Sequence, residues 1–172
     1  FSLFDDDGGG SGGGVAADVV EYVSDSGSAA QAGPESRVDF DIQNTGNFDV
    51  QITDIKIEAE SGSLRTIRES RGGSRTAGQH EVFIDSSTPG IYEGSGNINA
   101  GQDSGTTGYT VGDRVSLTQQ GTLSAGQTAQ TTLFEFRNNG GQPVSAADKP
   151  LTVTLYFQDG SQTTFSFTPP GY

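Results

Sequence analysis

Cysteine is absent from the 172 residues, so neither a disulfide nor thiolate chemistry is available. Methionine is absent too, even at position 1, which implies processing or truncation ahead of Phe1. Tryptophan is missing, and histidine occurs once, at His80. A lone imidazole without thiolates is a poor start for a zinc site, whose ligands come mostly from cysteine and histidine. No Gly-x-Ser-x-Gly nucleophile elbow accompanies it. No apolar run approaches the roughly 18 residues that mark a membrane-spanning helix, and no Asn-x-Ser/Thr sequon offers a glycosylation site. Positive charge is scarce: 9 Lys and Arg stand against 22 Asp and Glu, a net charge of −13. Nucleic acid is therefore excluded as the expected partner, because phosphate binding needs clustered cations. Anionic membrane surfaces are disfavoured for the same reason.

Valine, isoleucine, phenylalanine and threonine fill the patterned stretches, and no helical period is sustained. Val38, Phe40 and Ile42 alternate with Arg37, Asp39 and Asp41, the two-residue period of a half-buried strand. Phe48, Val50 and Ile52 share one parity and Ile55 and Ile57 the other, which predicts a bulge at Thr53–Asp54. Further strands are expected over Val19–Val23, Leu64–Ile67 and Glu81–Ile84, and around Val115–Leu117, Phe134–Phe136, Leu151–Phe157 and Phe165–Phe167. Asp159-Gly160, between the last two, is a hairpin signal.

Two stretches align with each other. Val38–Val50 matches Thr132–Val144, pairing Phe40 with Phe134, Asn44 with Asn138, Gly46 with Gly140 and Val50 with Val144. The expected organisation is a tail at 1–14 and one sandwich domain at 15–172. The domain would hold half-repeats near 17–68 and 111–168 and an irregular insert near 69–110. The fold class is all-β, an immunoglobulin-like or jelly-roll-type antiparallel β-sandwich with an extended N-terminal segment. Its expected core is Val38, Phe40, Ile42, Val50, Ile52, Ile55, Ile57, Val115, Leu117, Phe134, Phe136, Val153, Leu155, Phe157, Phe165 and Phe167.

The pattern x-Phe-x-Ile/Phe-x-Asn-x-Gly, at Asp39–Gly46 and Leu133–Gly140, resembles immunoglobulin-like modules of archaeal surface proteins. The acidic, lysine-poor composition likewise resembles proteins of salt-loving archaea, in which salt screens self-repulsion. The resemblance implies an extracellular, cell-surface, non-catalytic part. In its logic the chain is similar to archaeal bundling pili and TasA-like fibres, sandwiches joined by an N-terminal segment that enters a neighbour. Type IV pilins and archaellins open with a long hydrophobic helix that these residues do not include, so either the filament class differs or the helix was removed.

The residues offer little catalytic chemistry. Asp39 and Asp41 face one way on a strand, where a solvent face explains them, so no enzyme activity and no cofactor are expected. Calcium is the metal that so many carboxylates would suit; Asp5, Asp6 and Asp7 are the densest run, without an EF-hand loop, and no site is assigned. Arginine clusters once, at Arg65, Arg68, Arg71 and Arg75. That cluster would serve as a receiver for Asp5–Asp7 of another copy, since guanidinium forks match carboxylates. Phe1, Leu3 and Phe4 form an apolar plug on a Gly/Ser tether. Val15–Val23, with Val15, Val19, Val20 and Tyr22, is a second candidate for a donated strand. The expected function is a structural filament subunit, a head-to-tail homopolymer with no membrane span. The alternatives are a surface domain of a membrane-anchored adhesion or archaellum-associated protein, and a haloarchaeal virus coat.

Overall fold

The computed structural model describes residues 14–29, 36–68, 81–86, 91–93 and 109–171. After a 3₁₀ turn at Ala16–Asp18 come β1 (Val20–Tyr22), β2 (Ser28–Ala29), β3 (Val38–Asn44), β4 (Val50–Ala59) and β5 (Thr66–Ile67). Then follow β6 (Val82–Ile84), β7 (Ile91–Glu93), β8 (Tyr109–Thr110) and β9 (Arg114–Leu123). The last four are β10 (Thr128–Leu133), β11 (Phe136–Arg137), β12 (Leu151–Phe157) and β13 (Gln162–Phe167).

The chain is an all-β, immunoglobulin-like antiparallel sandwich. One sheet runs β1-β3-β10-β6-β7, with β2 continuing beside β3; the other runs β9-β4-β12-β13. Among the described strands they join where Tyr92 of β7 pairs with Gln119 of β9, within the stretch where β9 loses register with β4, between Ile52/Gly121 and Asp54/Ser116. A small third sheet, β11-β5-β8, covers one end.

The bulge falls at Thr53. Both neighbours of β4 change register there, β9 between Ile52 and Asp54 and β12 between Tyr156 and Phe157. The extra residue restores parity, so Val50, Ile52, Ile55 and Ile57 are all buried. Each fully buried aliphatic or aromatic side chain contributes about 1.5–3 kcal/mol.

Two arches carry the chain from the first sheet to the second with one device. The Asn44 Oδ1 accepts the Gly46 N–H at 2.9 Å, and the Asn138 Oδ1 accepts the Gly140 N–H at 2.9 Å. Each is an Asx turn, in which the side chain imitates the backbone. Asn44 is fully buried and also donates to the carbonyls of Phe48 and Leu123. The first arch joins β3 to β4 directly, and the second follows β11 of the third sheet on the way from β10 to β12; β3 and β10 are antiparallel neighbours, and so are β4 and β12.

Three sequence expectations are corrected. The stretch 69–110, expected as an irregular insert with one strand at Glu81–Ile84, supplies that strand as β6 and, beyond it, β7 in the strand path and β8 in the third sheet. Strands of two or three residues are too short to show a period. Phe134 and Phe136 do not lie on one strand: β10 ends at Leu133, β11 begins at Phe136, and Glu135 stands between them at φ 65°. Val115, Phe165 and Phe167 are half-buried instead of fully covered.

Candidate assembly surface

The strand registers define two ends of the sandwich. At the hairpin end lie the Asn44–Asn47 arch, the Ser124–Gln127 turn and the Asp159–Ser161 turn. At the other, the crown, lie Ala59, Leu151 and Phe167, mutually adjacent through β4, β12 and β13, and the third sheet.

The N-terminal segment is rooted at the hairpin end. The Ala16 N–H donates to Asp159 Oδ2 at 2.8 Å and the Ala17 N–H to Ser161 Oγ at 3.1 Å. These amides are free to donate because they open a helical turn and have no partner within it. The Asp159 carboxyl is held below its ordinary range, first by the Ala16 N–H and then by the Ser161 hydroxyl. Val19 is fixed by the Thr45 N–H, which donates to its carbonyl at 2.7 Å, and packs on Gly46, where a Cβ would stand 2.8 Å from Val19 Cγ1.

Val20 and Tyr22 then pair with Asn44 and Ile42 of β3. Val15–Val23, the second candidate for a donated strand, here pairs within its own sandwich as an edge. Val20 is buried, Val19 and Tyr22 are half-buried, and Val15 is the exposed large apolar residue of the segment. Apolar alternation cannot tell whether a strand docks in its own chain or in another. Phe1, Leu3, Phe4, Asp5, Asp6 and Asp7 lie outside the described residues, as do Arg71, Arg75 and His80.

From the hairpin end a seam runs to the crown between β1 and β13, the last strands of the two sheets. Side chains close it. The Tyr22 ring stacks on Phe167 at 4.8 Å between centroids and on Phe165 at 5.5 Å, and Phe40 lies beneath, 4.9 Å from Phe167. At the crown the seam is stitched by the Ala29 N–H to the Pro170 carbonyl at 2.8 Å and by a parallel bridge from Ala29 to Gly171. Between β1 and β2 the chain swings outward, with Asp25 at φ 62°. Against the end of β13 this excursion leaves an open groove of about 430 Å³, lined by Tyr22, Asp25, Gly27, Phe167 and Pro170 among others.

The arginine cluster is not one surface. Arg65 is exposed at the crown beside the third sheet, whereas Arg68 is 2 % exposed. Arg68 therefore cannot present its charge to another molecule, and the expected receiver loses a member. It lies next to a buried ion pair: its N–H donates to the Glu135 carbonyl, and the Glu135 carboxylate binds Arg137 through Nε at 3.1 Å and through Nη2. Three-residue spacing of arginines in a sequence carries no sign of which will be covered. Asp39 likewise departs from the expected solvent face: it is buried and receives bonds from Thr132 Oγ1 at 2.7 Å and Arg37 Nε at 3.1 Å.

All seven lysines and arginines among the described residues, from Arg37 to Lys149, lie in the crown half, four of them in ion pairs with Asp39, Glu58, Asp54 and Glu135. That half also carries exposed Glu58, Glu60, Asp113 and Asp148; among the described residues the hairpin end carries exposed Asp18, Glu21, Asp49 and Asp159 and no lysine or arginine. Among the described residues no three acids or imidazoles are grouped to hold a metal ion, and no helix is long and apolar enough to cross a membrane.

No protein-family model and no curated protein matches the chain. Two solved structures are similar at low identity. One is the ASH / PapD-like domain 7 of human CEP192, 13% identical, covering 92% of this chain and 87% of that one, with a TM-score of 0.34. The other is Spo0M, a sporulation control protein of Bacillus subtilis, 10% identical, covering 89% of this chain and 48% of that one, with a TM-score of 0.35. Both likenesses concern the fold alone; function must be argued from the surface of this chain.

Proposed function

We propose that the chain is a non-catalytic structural subunit of an extracellular filament, joined head to tail through its N-terminal segment. The observation that supports this most directly is where that segment leaves the sandwich. It is clamped by Asp159 and Ser161 at the hairpin end, where no lysine or arginine lies among the described residues, while the seam opens as a groove towards the crown. A segment given by one end and taken up by the other makes a heterologous contact, and such a contact propagates as a filament when it does not close into a ring. The acidic composition supports an origin in a salt-loving archaeon, where copies of net charge −13 could stand side by side without strong repulsion.

Deleting residues 1–13 tests the reading. The shortened chain is expected to stay folded and monomeric, while the full chain forms polymers seen by sedimentation and electron microscopy. Equal polymerisation of the two chains would refute the role given to the segment.

A further inference from the structure

Six asparagines occur in the chain, and one of them, Asn139, is followed by glycine. The backbone amide after an asparagine can attack that residue's side-chain carbonyl, and glycine allows the closest approach because no Cβ stands in the way. Asn139 and Gly140 are both exposed at the tip of the second arch, where water reaches them. The turn around them is closely bonded. The Asn138 N–H donates to the Gln142 carbonyl at 2.9 Å, and the Gly141 N–H to the Asn138 carbonyl at 3.0 Å. The Asn138 Oδ1 accepts the N–H of Gly140 at 2.9 Å and that of Gln142 at 3.0 Å. The amide that would attack Asn139 is thus the one that the Asx turn already holds. Behind the turn, Arg137 donates from Nη1 to the Gly141 carbonyl at 2.6 Å and from Nε to the buried Glu135 carboxylate at 3.1 Å. The first arch has the same Asx turn, but Thr45 stands where the second has Asn139, so it lacks the reacting group.

We propose that Asn139-Gly140 is a self-modifying site, a slow deamidation whose rate is set by the Asn138 side chain. The Gly140 nitrogen bonds to Asn139 Cγ and gives its proton to a solvent base. The side-chain nitrogen leaves as ammonia, and a cyclic succinimide remains. Water then opens the ring. Attack at Cγ restores the ordinary backbone with aspartate at position 139. Attack at the main-chain carbonyl leaves isoaspartate, whose backbone runs through the side chain and is longer by one carbon. Either product adds a negative charge, and water is the only co-reactant. Asn138 opposes the first step because it holds the Gly140 N–H on its own Oδ1, away from Asn139 Cγ and from solvent base. The products differ in consequence. Aspartate leaves the backbone of the turn as it is. Isoaspartate lengthens the loop inside the hydrogen bonds that Asn138 makes to Gly140, Gly141 and Gln142, so these and the Arg137 bond to Gly141 cannot all be kept. A reaction at the surface thereby reaches the buried Glu135–Arg137 pair.

The unmodified chain is aged at mildly alkaline pH, and conversion at each asparagine is followed by peptide mass spectrometry, with isoaspartate methyltransferase labelling to score the longer backbone. Conversion is expected first at Asn139. Asn138→Ala should raise its rate at least fivefold, towards that of the chain in urea, whereas Asn138→Asp keeps the acceptor oxygen and should stay within twofold of the unmodified chain. Aged chain should unfold at lower urea in proportion to its isoaspartate, and Asn139→Asp should unfold where fresh chain does. Conversion first at another asparagine overturns the site. Equal rates in the folded chain and in urea, equal rates in the unmodified chain and Asn138→Ala, or Asn138→Asp as fast as Asn138→Ala, overturn the guard. Asn139→Asp as unstable as the aged chain overturns the role given to the longer backbone.

Discussion

Gly27 is the tightest point of the seam, and replacing it with alanine gives a perturbation whose size follows from distances. A Cβ there would stand 2.8 Å from Phe167 Cδ2, 3.0 Å from Phe167 Cε2 and 3.0 Å from the Tyr22 hydroxyl. Carbon atoms prefer separations of about 3.5–4.0 Å, so the Phe167 ring must retreat by roughly half an ångström or more. It has little room, since Tyr22 stacks on it at 4.8 Å and Phe40 lies at 4.9 Å. Overpacking of this kind costs about 1–3 kcal/mol. For a chain of this length that lowers Tm by roughly 2–12 °C. Urea unfolding of Gly27→Ala, of Phe167→Ala and of the double variant would measure it. Truncating Phe167 removes the atoms that clash, so Gly27→Ala should cost much less in the Phe167→Ala background, a coupling above about 0.5 kcal/mol. A neutral Gly27→Ala, or the same cost in both backgrounds, would refute the packing argument.

Three other outcomes follow from buried or clamped polar groups. The Asp159 carboxyl is held low in the folded chain, so its clamp on Ala16 is complete above the ordinary carboxyl range, about 4, and is lost as pH falls through the depressed value. Amide exchange at Ala16 should therefore be steady from pH 7 to 5 relative to the intrinsic rate and lose protection only in stronger acid; Asp159→Asn should weaken that protection at neutral pH. Arg137→Ala leaves the Glu135 carboxylate buried without its partner and should destabilise the fold by about 3–5 kcal/mol in urea unfolding. The Tyr109 hydroxyl accepts the Ile57 N–H at 2.7 Å and lies 2.5 Å from the Asp113 carbonyl, and burial pushes its pKa up to about 12. Tyr109→Phe should cost about 1–3 kcal/mol, and an alkaline absorbance titration should lose the tyrosine that ionises near pH 12.

The sandwich was legible where strands are long and one-sided. Val38–Asn44 and Leu151–Phe157 show their period plainly, and the parity change between Ile52 and Ile55 placed the bulge at Thr53–Asp54, of which the registers single out Thr53. The paired Asn-x-Gly signals found both arches because an Asx turn needs that side chain at that place. Short strands escaped notice: Ile91–Glu93 is three residues in a glycine- and serine-rich context, and its place in the sheet depends on partners far away in sequence. β10 was missed for another reason, since Thr128–Leu133 is mostly threonine and alanine and buries Ala129, Thr131 and Leu133 without an apolar run. The surface was less legible than the core. Sequence pointed to the N-terminal segment and to arginines, but whether an arginine is exposed depends on the fold, and burial removed Arg68.

The most direct test of the account is binding of a synthetic Phe1–Gly14 peptide to the chain that begins at Gly14, measured by titration calorimetry against a scrambled peptide. The account predicts saturable one-to-one binding by the ordered peptide, weakened at least tenfold when Phe1, Leu3 and Phe4 are replaced by serine. No binding, or equal binding of the scrambled peptide, would contradict the claim that this sandwich accepts its own N-terminal segment.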